Sequence, residues 1–341
     1  MSKLFIELDK KFNHILIHTG QHYDKFLSDV FFQDLNIRKP DHNLKIGSHK
    51  NKHYQQISLL VLRFIKLLKL KKISPDLIIF LGDSNSVALS FFLKKEGYKI
   101  AHIEAGMRSY DKRMFEEINR TICDHCSDFL FVYHKDYKKN LALENIKKNV
   151  YVVGNTIVEP YKILSNKIKT NKVKKFILVD IHRPENFLYS NRLLNLFKYL
   201  KICQNIFDCE IIFLKFKRTI KELKKIKIST KFVNFIELQS YKNFIQLQKD
   251  SFFIISDSGT AQEEPALFLK PVIVPRDFSE RPQSYFNNCS FKLNINNKNF
   301  SWNESIRWIN DHKNGKIKMY NNWLGKGDTS NKIIKILEKN L

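Results

Sequence analysis

The run His102-Ile103-Glu104-Ala105-Gly106-Met107-Arg108, continued by Met114-Phe115-Glu116-Glu117-Ile118-Asn119-Arg120, packs three carboxylates and two arginines into a short span. It follows a strand-like stretch, Tyr98 to Ile103, and leads into a helix-like one. A carboxylate just past a strand end in an α/β fold sits where such folds bind ligands, and paired carboxylates there can serve as acid and base. Glu116 and Arg120 stand four apart, so they share a helix face. The plain alternative is a loop with a solvated ion pair. That alternative loses ground because three further polar clusters close other predicted strands.

These clusters are Gly82-Asp83-Ser84, His182-Arg183-Pro184-Glu185-Asn186 after a strand ending in Asp180-Ile181, and Ser256-Asp257-Ser258-Gly259-Thr260-Ala261-Gln262-Glu263-Glu264. In the last, Ser258, Gly259 and Thr260 fall at the start of a predicted helix, where open N–H groups and the helix dipole favour a phosphate. Glu264 lies one turn further on, in reach of a ribose. An ordinary N-cap followed by acidic first-turn residues reads the same way. His182 could donate to a diphosphate, or be a satisfied histidine at a strand end. Arg276-Asp277 and Glu280-Arg281 follow the next strand, as a salt-bridge network or as a further wall of the site. Taken together, the phosphate donors fall in the second half and the carboxylates in the first, a division that suits a nucleotide sugar. No Gly-rich dinucleotide fingerprint or P-loop is present.

The elements that must position these groups alternate between strands and helices. An amphipathic helix over residues 2–12 precedes a strand at His14–His18. A helix is expected over Asp24 to Phe32, then a loop to Lys52 and a long helix over Gln55 to Leu70. Pro75 to Leu81 is a near-continuous apolar run, as in a strand buried on both faces of a parallel sheet. Strands ending at Ile103 and Val132 and at Asn149–Val153 follow, with a helix over Met114 to Cys126. The second half has strands at Phe176–Ile181, Glu210–Leu214, Phe232–Leu238, Phe252–Ser256 and Pro271–Val274. Helices lie between, clearest over Gln262 to Leu269, and Ser330 to Leu337 forms a last amphipathic helix. The alternation predicts two doubly wound parallel α/β domains with a cleft between their carboxyl strand ends. The expected boundaries are residues 1–154 for the domain with the carboxylates, 155–325 for the nucleotide domain, and 326–341 for a helix that packs back on the first.

At 341 residues the chain is long enough for two cores. Its net charge of +25 would suit an anionic partner. However, Lys is spread throughout, as in Lys66-Leu67-Leu68-Lys69, and no arginine-rich arm or zinc-finger spacing appears, so nucleic acid is not expected as a partner. Cys123-Asp124-His125-Cys126 has metal-like spacing, but no second pair completes a zinc site. The five scattered cysteines read as small buried thiols rather than a disulfide framework. No run is long enough to span a membrane and no signal peptide is visible, so a cytoplasmic location is expected.

In these motifs, together with His18-Thr19-Gly20-Gln21-His22-Tyr23-Asp24, Asn85-Ser86, Asp124-His125 and Glu280-Arg281-Pro282, the chain resembles the non-hydrolysing UDP-N-acetylglucosamine 2-epimerases. The matches run in family order over nearly the whole chain. The resemblance implies two Rossmann-like domains in a GT-B-like arrangement, a homodimer, and interconversion of UDP-GlcNAc and UDP-ManNAc without metal or nicotinamide cofactor. It implies Asp83, Glu104 and Glu116 as catalytic carboxylates, without assigning the base among them. It implies His182 as an aid at the diphosphate, and Arg120, Ser258, Gly259, Thr260, Glu264 and Arg276 as substrate-binding residues.

Several positions depart from the family pattern. The chain starts just after the usual Gly-Thr-Arg-Pro-Glu turn, so the first strand of the N-terminal domain is expected to be missing and its neighbours to lack a partner. Either the true start lies upstream or the product is defective. Phe115 stands where a proline is usual, Thr260 replaces a second glycine, and Phe216-Lys217-Arg218-Thr219 replaces His-Pro-Arg-Thr. Gln21-His22-Tyr23-Asp24 differs from the version found in allosterically regulated members, which argues against regulation by substrate. The remaining function classes are an epimerase of a related UDP-2-acetamido sugar, a GT-B glycosyltransferase, and a non-catalytic nucleotide-sugar-binding protein.

Overall fold

A computed structural model describes residues 1–21, 32–47, 52–165, 168 and 174–341. The helix expected over Asp24 to Phe32 and the motif residues His22 to Asp24 lie outside the described residues, apart from Phe32. The chain forms two compact units, Met1–Pro160 with Leu324–Leu341, and Tyr161–Trp323. The division thus falls six residues past Gly154. The reason is local: Asn155 N–H donates to the Leu324 carbonyl at 2.8 Å, and the Ser330 N–H and hydroxyl donate to the buried Glu159 carboxylate at 2.9 and 2.5 Å.

In the first unit, β3 (Ile78–Leu81), β4 (Ile100–Ile103), β5 (Phe129–Val132) and β6 (Val150–Val152) form a four-stranded parallel sheet in that order. β4 and β5 are buried along their whole length, which is why they read as apolar runs, broken in β4 by His102. Alternate apolar residues of β4 face opposite cores. Ala101 and Ile103 join Leu4 and Leu8 of the helix Ser2–Lys11 and Ile333, Ile334 and Leu337 of the helix Thr329–Asn340. Ile100 and Phe80 join Leu60, Phe64 and Leu68, spaced four apart on the helix His53–Leu70.

A separate parallel pair, β1 (Ile17–His18) and β2 (His42–Asn43), completes this unit. Among the described residues, β1 pairs only with β2, and β3 only with β4. β1 is shorter than the expected His14–His18. Ahead of it the Leu16 N–H donates to the Asp41 carboxylate at 2.7 Å, and Arg38 donates to the His14 carbonyl at 3.0 Å, so this backbone is satisfied by a loop instead of a ladder. β2 falls inside the stretch expected to be loop, where no apolar alternation announces it.

The second unit is built on β7 (Phe176–Asp180), β8 (Glu210–Leu214), β9 (Val233–Ile236), β10 (Phe253–Ser256), β11 (Val272–Val274) and β12 (Ser290–Lys292). They form a six-stranded parallel sheet ordered β12-β11-β10-β7-β8-β9. β12 has a single large apolar residue, Phe291, and is not apparent from the sequence. The chain winds outward from β7 through β8 to β9, then returns to β10 and winds the other way. The strand order therefore reverses between β7 and β10, and α/β sheets bind ligands at the carboxyl ends beside such a reversal. Ile177 and Val179 face one core, Phe176 and Leu178 the other.

Candidate active site

At the reversal point, β7 and β10 end in one hydrogen-bonded cluster. His182 Nδ1 lies 2.8 Å from Asp180 Oδ1, and Ser256 donates its hydroxyl to the other Asp180 oxygen at 3.1 Å. Asp257 is fully buried and accepts from the His182 and Arg183 N–H groups at 3.0 and 3.1 Å and from Asn186 at 2.9 Å. Burial alone would lower the imidazole pKa, but the Asp180 and Asp257 carboxylates outweigh it and raise it. The side chain stays 29% exposed. The imidazole is thereby held at the strand end with its protonated form favoured. Its ring packs 4.8 Å from that of Phe216, so the departure from the His-Pro-Arg-Thr pattern places an aromatic wall against His182. Asp180, His182 and Asp257 are the group among the described residues close enough to share a metal ion. All four of their carboxylate oxygens already accept from protein donors, which fits an orienting role for the carboxylates.

The loop expected to hold phosphate differs in structure from its expectation. In place of a helix over Gln262 to Leu269, Thr260–Gln262 is a single 3-10 turn and Glu264–Leu267 a four-residue helix. Pro265 has no N–H to extend the first turn, and so short an element carries little dipole. Ser258 and Thr260 instead present hydroxyls 3.0 Å apart, Thr260 exposed. Gly259 has no room for a side chain: a Cβ there would lie 2.5 Å from the Arg281 guanidinium.

Glu264 is buried. Its oxygens accept from the Tyr241 hydroxyl at 2.9 Å and from Gln248 at 3.1 Å. Burial pushes its pKa up to about 7, and those two hydrogen bonds only partly oppose the rise. Arg276 is fully buried within a salt-bridge network. It lies 3.6 Å from Glu185 and 3.5 Å from Glu280, with its guanidinium 5.0 Å from the Phe278 ring centroid. Arg281 joins Glu280 to Glu263, the latter at 3.0 Å.

In the first unit the carboxylates gather where β3 and β4 end. Asp83 is ion-paired with Arg120, a buried side chain that also meets Glu117 at 2.9 Å. Glu117 also accepts from the N–H groups of Ser109 and Tyr110 at 3.0 and 2.9 Å. The same helix, Phe115–Cys126, holds the Asp83 carbonyl through Asn119 at 3.0 Å and carries the half-buried Glu116 in its first turn. Glu104 follows β4 with φ +73°, a left-handed conformation that costs a non-glycine residue about 1–2 kcal/mol. Its carboxylate reaches back to the other strand end, since a Cβ on Gly82 would lie 3.6 Å from its Oε2. Asp83 and Glu104 are thus brought together on a strained, tightly braced rim.

The motif residues of β1 reach this rim as well. Thr19 and Gln21 meet the Ser86 hydroxyl at 3.0 and 3.3 Å. Phe115, at the usual proline position, packs on His53 at 5.2 Å.

The family model for UDP-N-acetylglucosamine 2-epimerase matches residues 6–338. The chain belongs to the UDP-N-acetylglucosamine 2-epimerase family. Among relatives, a UDP-N-acetylglucosamine 2-epimerase of Methanocaldococcus jannaschii is 34% identical over 325 residues, 88% of each chain. One of Methanococcus maripaludis is 36% identical over 302 residues, covering 83% of this chain and 81% of that one. The crystal structure of the M. jannaschii UDP-GlcNAc 2-epimerase in complex with UDP-GlcNAc and UDP superposes with a TM-score of 0.89 at 32% identity, covering 99% of this chain and 96% of that chain. The two Rossmann-like α/β units are those of this epimerase family.

Sequence reasoning gave no role to Glu117, His102 or Asp124 in the epimerase scaffold. A signal was available. Glu117, Arg120 and Asp124 recur at helical spacing on one face, and all three are buried. His102 interrupts a fully buried strand, so it needs partners.

Proposed function

We propose that this chain interconverts UDP-GlcNAc and UDP-ManNAc, inverting carbon 2 of the sugar. A carboxylate removes the proton at C2 while the C1–O bond breaks and UDP leaves with the electron pair, giving a 2-acetamidoglucal. A proton returned to the opposite face of C2 and re-addition of UDP at C1 complete the cycle. The sequence is redox-neutral and needs no nicotinamide. The observation that carries the reading is the meeting of Asp83, Glu104 and Arg120 at adjacent strand ends in a chain of this family. Acid and base must be positioned with matched proton affinities, and Asp83, Glu104 and Glu116 are the groups for it. In the second unit His182 supports the diphosphate. Ser258, Gly259, Thr260 and Glu264 hold the nucleotide, with Arg276 bracing their wall and Arg120 anchoring Asp83.

The chain acts as a homodimer in the cytoplasm, supplying precursors for surface polysaccharide. The dimer is supported by the exposed apolar side chains Phe115, Ile118 and Ile122 on one helix and Phe91 and Phe92 on its neighbour. All five cysteines are free, which suits a reducing compartment. No described helix is long and apolar enough to cross a membrane.

The test is proton NMR of UDP-GlcNAc with the chain in deuterated water. Deuterium at C2 together with UDP-ManNAc is the expected result. Free ManNAc plus UDP as the only products would place the chain with hydrolysing enzymes. Folded protein without exchange overturns the proposal.

A further inference from the structure

His102 is fully buried in β4, two residues before Glu104. Its Nε2 lies 2.7 Å from the carbonyl oxygen of Gly82, the residue before Asp83. Its Nδ1 lies 2.6 Å from Asp124 Oδ1. A carbonyl only accepts, so Nε2 carries hydrogen. Asp124 is held as a carboxylate, because its second oxygen accepts from the Gly106 N–H at 3.0 Å and from Arg108 at 2.7 Å. Both ring nitrogens therefore face acceptors, an arrangement that favours the imidazolium form.

Every charged or titratable group around it fits that state. Asp124 and Cys123 face it from the helix Phe115–Cys126. Arg108 shares Asp124 and forks onto Glu144 at 2.6 and 2.7 Å, and Glu144 meets the exposed His125 at 3.2 Å. Burial alone would lower the His102 pKa, but Cys123 and Asp124 outweigh it and hold it well above the ordinary range.

The His102–Asp124 pair thus ties four segments: the end of β3, β4 itself, the loop after Glu104 and the helix carrying Glu116 and Arg120. We infer that His102, as a doubly donating imidazolium locked between the Gly82 carbonyl and Asp124, sets the distance between Asp83 and Glu104 and is a positioning residue for proton transfer at C2. This rests on the epimerase reading above. Misplacing reacting groups by an ångström costs about a hundredfold in rate, and both ring nitrogens are taken by protein acceptors, so binding should survive.

The experiment compares the full-length chain with His102→Gln, which keeps a donor for Gly82 but offers no N–H to Asp124. Folding is checked by circular dichroism. Expected are a KM within about threefold of wild type and a kcat, with C2 deuterium exchange, lower by about ten- to a hundredfold. Histidine nitrogen NMR of the wild-type chain near neutral pH should show one ring protonated at both nitrogens that is missing from the variant. A folded variant with unchanged kcat, or a neutral His102 ring, overturns the inference. Should His102→Gln fail to fold, Asp124→Asn is read the same way: it keeps the ring, removes the carboxylate, and should yield a neutral ring and reduced kcat. If wild type shows no exchange, the epimerase reading fails, while the NMR signal still decides the charge state.

Discussion

Replacing Glu264 by Gln isolates a charge state that the fold imposes. Glu264 is 4% exposed, and its pKa moves from an ordinary 4.5 to about 7 because burial penalises the carboxylate. Between those values the native chain holds a proton that the unfolded chain has released. Stability therefore falls as pH rises from about 4.5 to about 7 and is level beyond. At about 1.4 kcal/mol for each pH unit across the interval, the loss is about 3 kcal/mol. Gln keeps the shape and cannot titrate. Its carbonyl can accept from Tyr241, and its amide can donate to the buried Gln248 Oε1 once that amide turns over; this oxygen has no hydrogen-bond partner among the described residues. Urea unfolding of both proteins at pH 5 and pH 8 measures the difference, in which all other titrating groups cancel. The variant should gain about 3 kcal/mol on wild type between the two conditions. A gap that stays constant with pH would refute the reasoning, since Glu264 would then titrate alike in both states.

Arg120→Lys should lower C2 exchange at least about tenfold and cost about 2 kcal/mol, because a lysine ammonium cannot fork between Asp83 and Glu117; unchanged exchange by NMR would count against the bridge. Gly106→Ala should destabilise by about 2–3 kcal/mol, as the residue has φ +77° and its Cβ would lie 2.5 Å from the Tyr137 carbonyl oxygen. Thermal unfolding checks it, and a melting temperature equal to wild type would show that the loop after Glu104 yields more easily than its packing implies.

Much of the fold was legible in the chain itself. β4, β5, β7 and β10 are central strands buried on both faces, so they announce themselves as largely apolar runs, broken within β4 by His102. Glu104 and His182 stand after such runs, and Asp83 after the apolar but part-exposed β3, which is why they could be named as candidate site residues. β2 and β12 were not legible: each pairs through its backbone, and neither His42-Asn43 nor Ser290-Phe291-Lys292 carries the alternation that marks a strand. The helix expected at Gln262 to Leu269 breaks into a turn and a short helix because Pro265 and the packing of Gly259 against Arg281 decide the backbone there.

What the sequence determined by itself is the set of candidate groups, since residue type and the place after a strand are local properties. What tertiary structure alone decided is which group holds which. Arg120 meets Glu117 and Asp83, Glu264 lies buried under Tyr241 and Gln248, and His102 reaches both Gly82 and Asp124. Charge states follow from those long-range partners and from burial, and neither can be read along a single strand or helix.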